Sequence, residues 1–129
     1  MYIHHLAIWT RDLENMKTFY LKYFHCKSSQ KYINLKKSFE SYFLEFDGGA
    51  KLELMTMPSI PDNLNDAHRQ NIGLMHFSIS VGTREKVIAL TERLRADGYE
   101  IVSEPRETGD GFFESCILDP EGNRVELAS

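Results

Sequence analysis

Two stretches decide the fold, IHHLAIW over residues 3–9 and LMHFSISV over residues 74–81. In each stretch apolar residues alternate with other residues around a histidine, a pattern typical of a β-strand with one face in a core. The alternation places His5 and His76 on the face opposite the apolar residues. We therefore expect both histidines to point away from the core of their sheets.

Two glutamates share this placement. Glu53 stands between two leucines in AKLELM, and Glu126 stands between a valine and a leucine in NRVELA. A carboxylate between two core-facing residues of a strand points away from that core, because successive side chains alternate between the faces. We expect both carboxylates on the faces that carry the histidines.

In the first half of the chain, a strand precedes a helix and three further strands. Asp12 can cap the helix, in which apolar residues recur at helical spacing. The turn sequence Asp47-Gly48-Gly49 favours a hairpin between the last two strands. The predicted ranges are 3–9 for the first strand, 24–32 for a weak strand or bend, and 38–46 and 51–57 for the hairpin.

The second half repeats this order after a segment at 58–73, which holds two prolines and three asparagines and is interpreted as a linker or a flap over a site. The predicted ranges are a strand at 74–81, a helix at about 84–96 ended by Asp97-Gly98, a strand at 99–103, a loop at 104–111, a strand at 112–118, a turn at 119–123 and a strand at 124–128. The chain is thus predicted to be one domain over 1–129, built from two βαβββ modules at about 1–57 and 74–129.

Composition excludes several classes of function. The 129 residues carry a formal net charge of −4, without a basic run that would favour nucleic acid. No stretch approaches the roughly 20 apolar residues of a membrane span, and no signal peptide is evident at the N-terminus. We expect a cytoplasmic protein whose isolated Cys26 and Cys116 stay reduced and pack in the core.

The two histidines and two glutamates form a candidate metal site. Glu53 follows His5 by 48 residues and Glu126 follows His76 by 50, so the pairs occupy matching places in the repeat. Imidazole and carboxylate ligands suit a divalent first-row metal with open positions, and Zn, Ni, Mn, Co and Fe are all compatible. The alternative for each residue is an ordinary solvated side chain, but their matched positions favour a metal.

Four segments carry a resemblance to a known family: HLAIWTRDLENMKTFY, AKLELM, LMHFSISV and DPEGNRVEL. They resemble the signature segments of the vicinal oxygen chelate superfamily, specifically its glyoxalase I-like members. The resemblance implies an α+β fold in which two βαβββ modules form a cup-shaped mixed sheet with helices on the outer face. It also implies a homodimer that acts on a small molecule, with metal positions at His5, Glu53, His76 and Glu126.

The resemblance implies a lactoylglutathione lyase-like activity, in which proton transfer passes through a metal-bound enediolate of a small hydroxycarbonyl or hemithioacetal substrate. Glu126 is then the main base, and Glu53 is a ligand and possible partner in catalysis. Two alternatives stay open. One is an acyl-thioester epimerase, and the other is a ligand-binding protein without catalysis, like the bleomycin resistance proteins of the same superfamily.

The residues beside the expected metal site differ from those of bacterial glyoxalase I. Members of that group usually carry an arginine and an asparagine that hold glutathione, whereas Trp9 and Met57 stand at these places here. Together with Met55 and Phe112 they predict an apolar substrate pocket, and Phe113 is a further candidate for the same surface. The alternative is that these side chains are ordinary core packing.

Overall fold

Both halves of the chain form a mixed β-sheet with one helix against it, which confirms the predicted α+β class. The computed structural model describes all 129 residues. The chain divides into two compact units, residues 1–63 and 64–129, and the division falls inside the segment predicted as a linker. Neither helix is long and apolar enough to cross a membrane.

The first unit contains one helix and five strands. Asp12 caps the helix as predicted, since its carboxylate accepts a hydrogen bond from the backbone N–H of Asn15 at 2.9 Å. The elements are β1 (His5–Trp9), α1 (Leu13–Phe24), β2 (Lys27–Ser28), β3 (Tyr32–Asn34), β4 (Phe39–Glu45) and β5 (Lys51–Thr56).

The second unit contains one helix and four strands. Its helix ends as predicted at Asp97-Gly98, where Gly98 has a φ of 90° and the N–H of Tyr99 bonds back to the carbonyl of Leu94. The elements are β6 (Phe77–Ser80), α2 (Arg84–Ala96), β7 (Ile101–Glu107), β8 (Phe113–Leu118) and β9 (Arg124–Ala128).

The two sheets have the same topology, which confirms the predicted repeat. Strand order is β1-β5-β4-β2 in the first unit and β6-β9-β8-β7 in the second. In each unit the first strand runs parallel to the last one, and the last two strands form an antiparallel hairpin. The weak strand predicted at 24–32 is split into β2 and β3, and both pair with β4. Together they occupy the position in the first sheet that β7 occupies in the second.

Each helix covers one face of its own sheet. In the first unit α1 contacts β4 and β5, where Leu52 and Leu54 are buried on the side that the alternation predicts. In the second unit α2 packs against β8, and the buried hydroxyls of Thr91 and Ser115 form a 2.7 Å hydrogen bond between them. The opposite face of each sheet carries the candidate site residues.

Strand β6 is shorter than predicted. The prediction was 74–81, but β6 begins at Phe77, so His76 precedes the strand. The reason lies in its partner: β6 pairs only with β9, from Phe77 opposite Val125, and the residues before β9 form a turn that offers no strand to pair with. His76 is therefore at the entry to the strand instead of inside it.

Strand β7 is longer than predicted. A strand was predicted at 99–103 and a loop with a proline and two glycines at 104–111, but β7 continues to Glu107. Proline lacks the N–H that a central strand needs, yet β7 is the edge strand of its sheet and its register shifts twice near the proline. Pro105 is accommodated for that reason.

Candidate functional site

The first unit places His5 beside Glu53 on the face opposite α1. Residues of β1 alternate in exposure, so that His5 shares the more exposed side with Trp9, as predicted. The Nε2 atom of His5 lies 3.7 Å from a carboxylate oxygen of Glu53. The two side chains are 39% and 15% exposed, which leaves the imidazole open to a ligand and the carboxylate partly desolvated.

The second ring nitrogen of His5 also has a partner. His4 and His5 lie with their Nδ1 atoms 2.8 Å apart. The ring of Phe43 packs edge-on against that of His5, with centroids 5.5 Å apart. The imidazole is thus held on two sides, and its Nε2 is directed towards Glu53.

The second unit places His76 beside Glu126 in the same way. The Nε2 atom of His76 lies 3.2 Å from a carboxylate oxygen of Glu126, and the side chains are 46% and 19% exposed. Glu126 lies in register with Cys116 on β8 and with Ser78 on β6, so it occupies the central position of a row across the sheet.

The two pairs have the same register. Glu53 lies opposite Ala7, the second residue after His5, and Glu126 lies opposite Ser78, the second residue after His76. The two pairs share this register because the two sheets share a topology. In each unit the histidine precedes or begins the first strand, and the glutamate lies in the last strand, which runs parallel to the first. The similar spacing from histidine to glutamate in the two halves predicted matching positions in the repeat. In the structure, strand pairing brings the histidine and glutamate of each pair together.

Local charges act on Glu126. Burial is the largest influence and raises the pKa of this carboxyl above its usual value, and the negative charge of Glu114 raises it further. His76, Arg106 and Arg124 act in the opposite direction and lower the pKa. A carboxylate with a raised pKa is a stronger base than an exposed one. That property suits a group that accepts and returns a proton.

A turn held by the buried carboxylate of Asp119 precedes the strand that carries Glu126. The carboxylate of Asp119, which is 4% exposed, accepts hydrogen bonds from the backbone N–H groups of Glu121 and Asn123 and from the Asn123 amide. Gly122 has a φ of 82°, a conformation that favours glycine. The DPEGN segment therefore acts as the connection that sets the register of β8 and β9.

Each unit offers two donors of the kind that divalent metals bind. The donors are an imidazole nitrogen and a carboxylate oxygen, without sulfur, so their chemistry fits zinc, nickel, manganese, cobalt or iron with open positions for a substrate. Within neither unit do three or more histidine, cysteine, aspartate or glutamate side chains form a group that could hold an ion. One pair therefore needs further ligands to complete a metal site.

The predicted pocket residues lie in different surroundings. Trp9 and Met55 are register partners on the face that carries His5, and Trp9 is 41% exposed. Met57 follows β5 and is half-buried, whereas Phe112 lies in the loop before β8 and is 55% exposed. The suggestion that Phe113 lines the same surface was wrong, because Phe113 is buried under the guanidinium of Arg84 at the start of α2.

Four further residues lie near the candidate site and were not predicted there. Phe39 and Phe43 lie on the site face of β4, and alternation in SFESYFLEF could have shown this. Tyr32 pairs with Ser41 beside them, but the break between β2 and β3 concealed its register. No signal in the sequence indicated that His4 would contact His5.

Known proteins similar to this chain were found by sequence and by structure. A family model described as the Glyoxalase/Bleomycin resistance protein/Dioxygenase superfamily matches residues 2–127. The uncharacterized protein YqjT of Bacillus subtilis (strain 168) is 27% identical, with 98% of each chain covered. A glyoxalase family protein from Enterococcus faecalis superimposes with a TM-score of 0.76 at 25% identity, covering 98% of this chain and 96% of that chain. The trypanothione-dependent glyoxalase I of Leishmania major is similar in fold, with a TM-score of 0.75 at 22% identity and coverage of 98% and 85%.

Proposed function

The chain belongs to the Glyoxalase/Bleomycin resistance protein/Dioxygenase superfamily, and we propose that it is a metal-dependent lyase or isomerase of the glyoxalase I type. Its substrate is a small hydroxycarbonyl compound or hemithioacetal. The observation that carries this proposal is the repeated His–Glu pair. His5 with Glu53 and His76 with Glu126 have the same register in two sheets, and both pairs lie on the face free of the helix.

The four side chains together would hold one divalent metal. Each unit supplies one nitrogen and one oxygen ligand, so both pairs are needed for a four-ligand site. When bound, such a metal acts as a Lewis acid that stabilises negative charge developing on the oxygens of the substrate.

Glu126 would transfer the proton. The carboxylate removes the proton from the hydroxyl-bearing carbon and delivers it to the neighbouring carbonyl carbon. The hydroxyl proton passes to the former carbonyl oxygen, so the hydroxyl and carbonyl groups exchange places. Burial raises the pKa of Glu126, and a raised pKa makes its carboxylate a stronger base than an exposed one. Glu53 serves as a ligand and, as the second carboxylate of the set, is the candidate partner of Glu126 in catalysis.

Glutathione is not favoured as part of the substrate. Trp9 and Met57 stand where an arginine and an asparagine would be needed to hold its carboxylates, and neither side chain can form an ion pair. The competing function is that of a ligand-binding protein without catalysis. The two His–Glu pairs argue against it, because a protein that only encloses a ligand has no need of paired metal donors at matched positions.

Metal analysis tests the proposal. Purified protein should retain one divalent metal per four-ligand site after dialysis, and the variants Glu53→Gln and His76→Ala should each lose it. His68→Ala is a matched control, since His68 is an exposed histidine that lies 3.4 Å from Glu100 and belongs to neither pair. Protein that binds no added zinc, nickel, manganese, cobalt or iron would contradict the proposal.

A mixing experiment tests our further proposal that the protein acts as a homodimer with shared sites. One double variant lacks the first pair, His5→Ala with Glu53→Gln, and the other lacks the second pair, His76→Ala with Glu126→Gln. If one site uses pairs from two chains, unfolding and refolding the variants together restores metal binding in the mixed dimer. Sites built within single chains give no recovery, which would contradict the shared arrangement.

A further inference from the structure

Four side chains form an apolar surface on the site face of the first unit, which we call the aromatic platform. Trp9, Met55 and Tyr32 lie in one row across the sheet, because Met55 is in register with Trp9 and with Ser41, and Ser41 is in register with Tyr32. Phe39 completes the platform. Its ring packs edge-on against Trp9 at 5.9 Å and against Tyr32 at 6.1 Å between centroids.

The platform is continuous with the first His–Glu pair. Along β1, Trp9 is the second same-face residue after His5, and along β5, Met55 is the next same-face residue after Glu53. Two residues of a strand span about 7 Å. A small molecule whose oxygens reach Glu53 therefore extends over Met55 and Trp9 if it carries a group the size of a ring.

The platform would not attract a charged group. Apart from the His5–Glu53 pair, the charged side chains of this face are at its other end, where the Lys51 ammonium forms an ion pair with Glu45. Lys31, the cation next to Tyr32 in the chain, is bound to Glu14 at 2.8 Å and to Glu40 at 2.9 Å. None of the platform residues is charged, so the surface is suited to an uncharged planar group.

We infer that the platform binds an aromatic ring of the substrate, which makes the substrate an aryl-substituted hydroxycarbonyl compound. This inference rests on the proposed function for the position of the substrate's oxygens. The ring would meet Trp9 and Phe39, which already pack edge-on against each other, a geometry that aromatic pairs prefer. Trp9 at 41% exposed and Tyr32 at 56% exposed are accessible to it.

Trp9 provides a direct assay, because it is the only tryptophan in the chain. Mandelate and lactate are matched probes, since both carry a hydroxyl next to a carboxylate and differ in having a phenyl or a methyl group. With metal-loaded protein, mandelate should bind about tenfold more tightly than lactate, and it should change the emission of Trp9. Phe39→Ala should remove most of this preference.

Ile88→Ala is the control for loss of an exposed apolar side chain. Ile88 lies on α2 and is 42% exposed, close to the value for Trp9. This variant should keep the preference for mandelate. Loss of the preference in Ile88→Ala as in Phe39→Ala would overturn the inference.

The outcomes separate this inference from the proposed function. Equal, metal-dependent binding of mandelate and lactate would overturn the aromatic platform and leave the metal site standing. A mandelate-induced change of Trp9 emission without metal, abolished by Phe39→Ala, would support the platform even if no metal is bound. Trp9 emission that shifts with protein concentration alone would show a second copy covering the platform, and would overturn the inference.

Discussion

The Nδ1 atoms of His4 and His5 lie 2.8 Å apart, so one ring must donate a proton and the other must accept it. The Nε2 atom of His5 is directed towards Glu53. If Nε2 is to bind a metal, it must present a lone pair, and the ring proton then resides on Nδ1. His4 is in the position to accept that proton in a hydrogen bond and to fix the tautomer and orientation of His5.

His4→Ala should therefore weaken metal binding without affecting the fold. Loss of a hydrogen-bond acceptor behind a ligating histidine typically costs about tenfold or more in affinity. Titration with zinc, followed by calorimetry, measures the change, and circular dichroism checks the fold. His68→Ala is again the control, and equal zinc affinity of His4→Ala and wild-type protein would show that His4 does not support His5.

Glu126→Gln should abolish most of any isomerase activity while the protein stays folded. The amide cannot accept the proton, and the loss of a general base costs about 100-fold or more in rate. Glu114→Gln is a close control, because Glu114 lies on the neighbouring strand and its side chain is 18% exposed, against 19% for Glu126. If Glu114→Gln loses as much rate as Glu126→Gln, the assignment of Glu126 as base is wrong.

Glu14→Gln should destabilise the first unit in a pH-dependent way. Hydrogen bonds from Lys17, Lys31 and Tyr42 lower the pKa of Glu14 from its ordinary value of 4.5 to about 2. A carboxyl with a lowered pKa in the folded state stabilises the fold above its unfolded pKa, and that stabilisation is lost as the pH falls from 4.5 towards 2. Urea unfolding should show a difference between variant and wild type that is largest at pH 7 and shrinks below pH 4.5. A difference independent of pH would exclude this ion-pair contribution.

Thr10→Val should stabilise the protein. The hydroxyl of Thr10 is buried without a hydrogen-bond partner, and valine fills the same space with a methyl group. Removal of an unsatisfied buried hydroxyl should raise the free energy of unfolding by about 1 kcal/mol. Thr10→Ser keeps the hydroxyl and loses the methyl group, so urea unfolding should rank valine above threonine and serine below it.

The sequence was sufficient to predict the repeat and the faces of its strands, for a physical reason. Alternation in strands and helical spacing in α1 and α2 are local properties, and they locate His5 and Glu53 on one face before any pairing is known. The parallel neighbours β1 and β5 are separated by most of a unit, however. The 3.7 Å approach of His5 to Glu53 therefore depends on a long-range register that local patterns do not contain.

The errors have the same origin. The start of β6 depends on where its partner β9 begins, and the length of β7 depends on its being an edge strand that tolerates Pro105. The contact of Phe113 with Arg84 likewise joins a strand to the start of a helix. Each of these features is decided by neighbours that are distant in the chain, so local sequence patterns do not determine them.

The sheet of the second unit offers very different edges to another protein molecule. On one side, Pro105 and two register shifts interrupt β7, so a foreign strand finds no regular ladder to join, and aggregation through this edge is suppressed. On the other side, β6 is regular and contains no proline. Self-assembly by strand addition in this unit would thus be directed to the edge formed by β6, the strand that begins directly after His76.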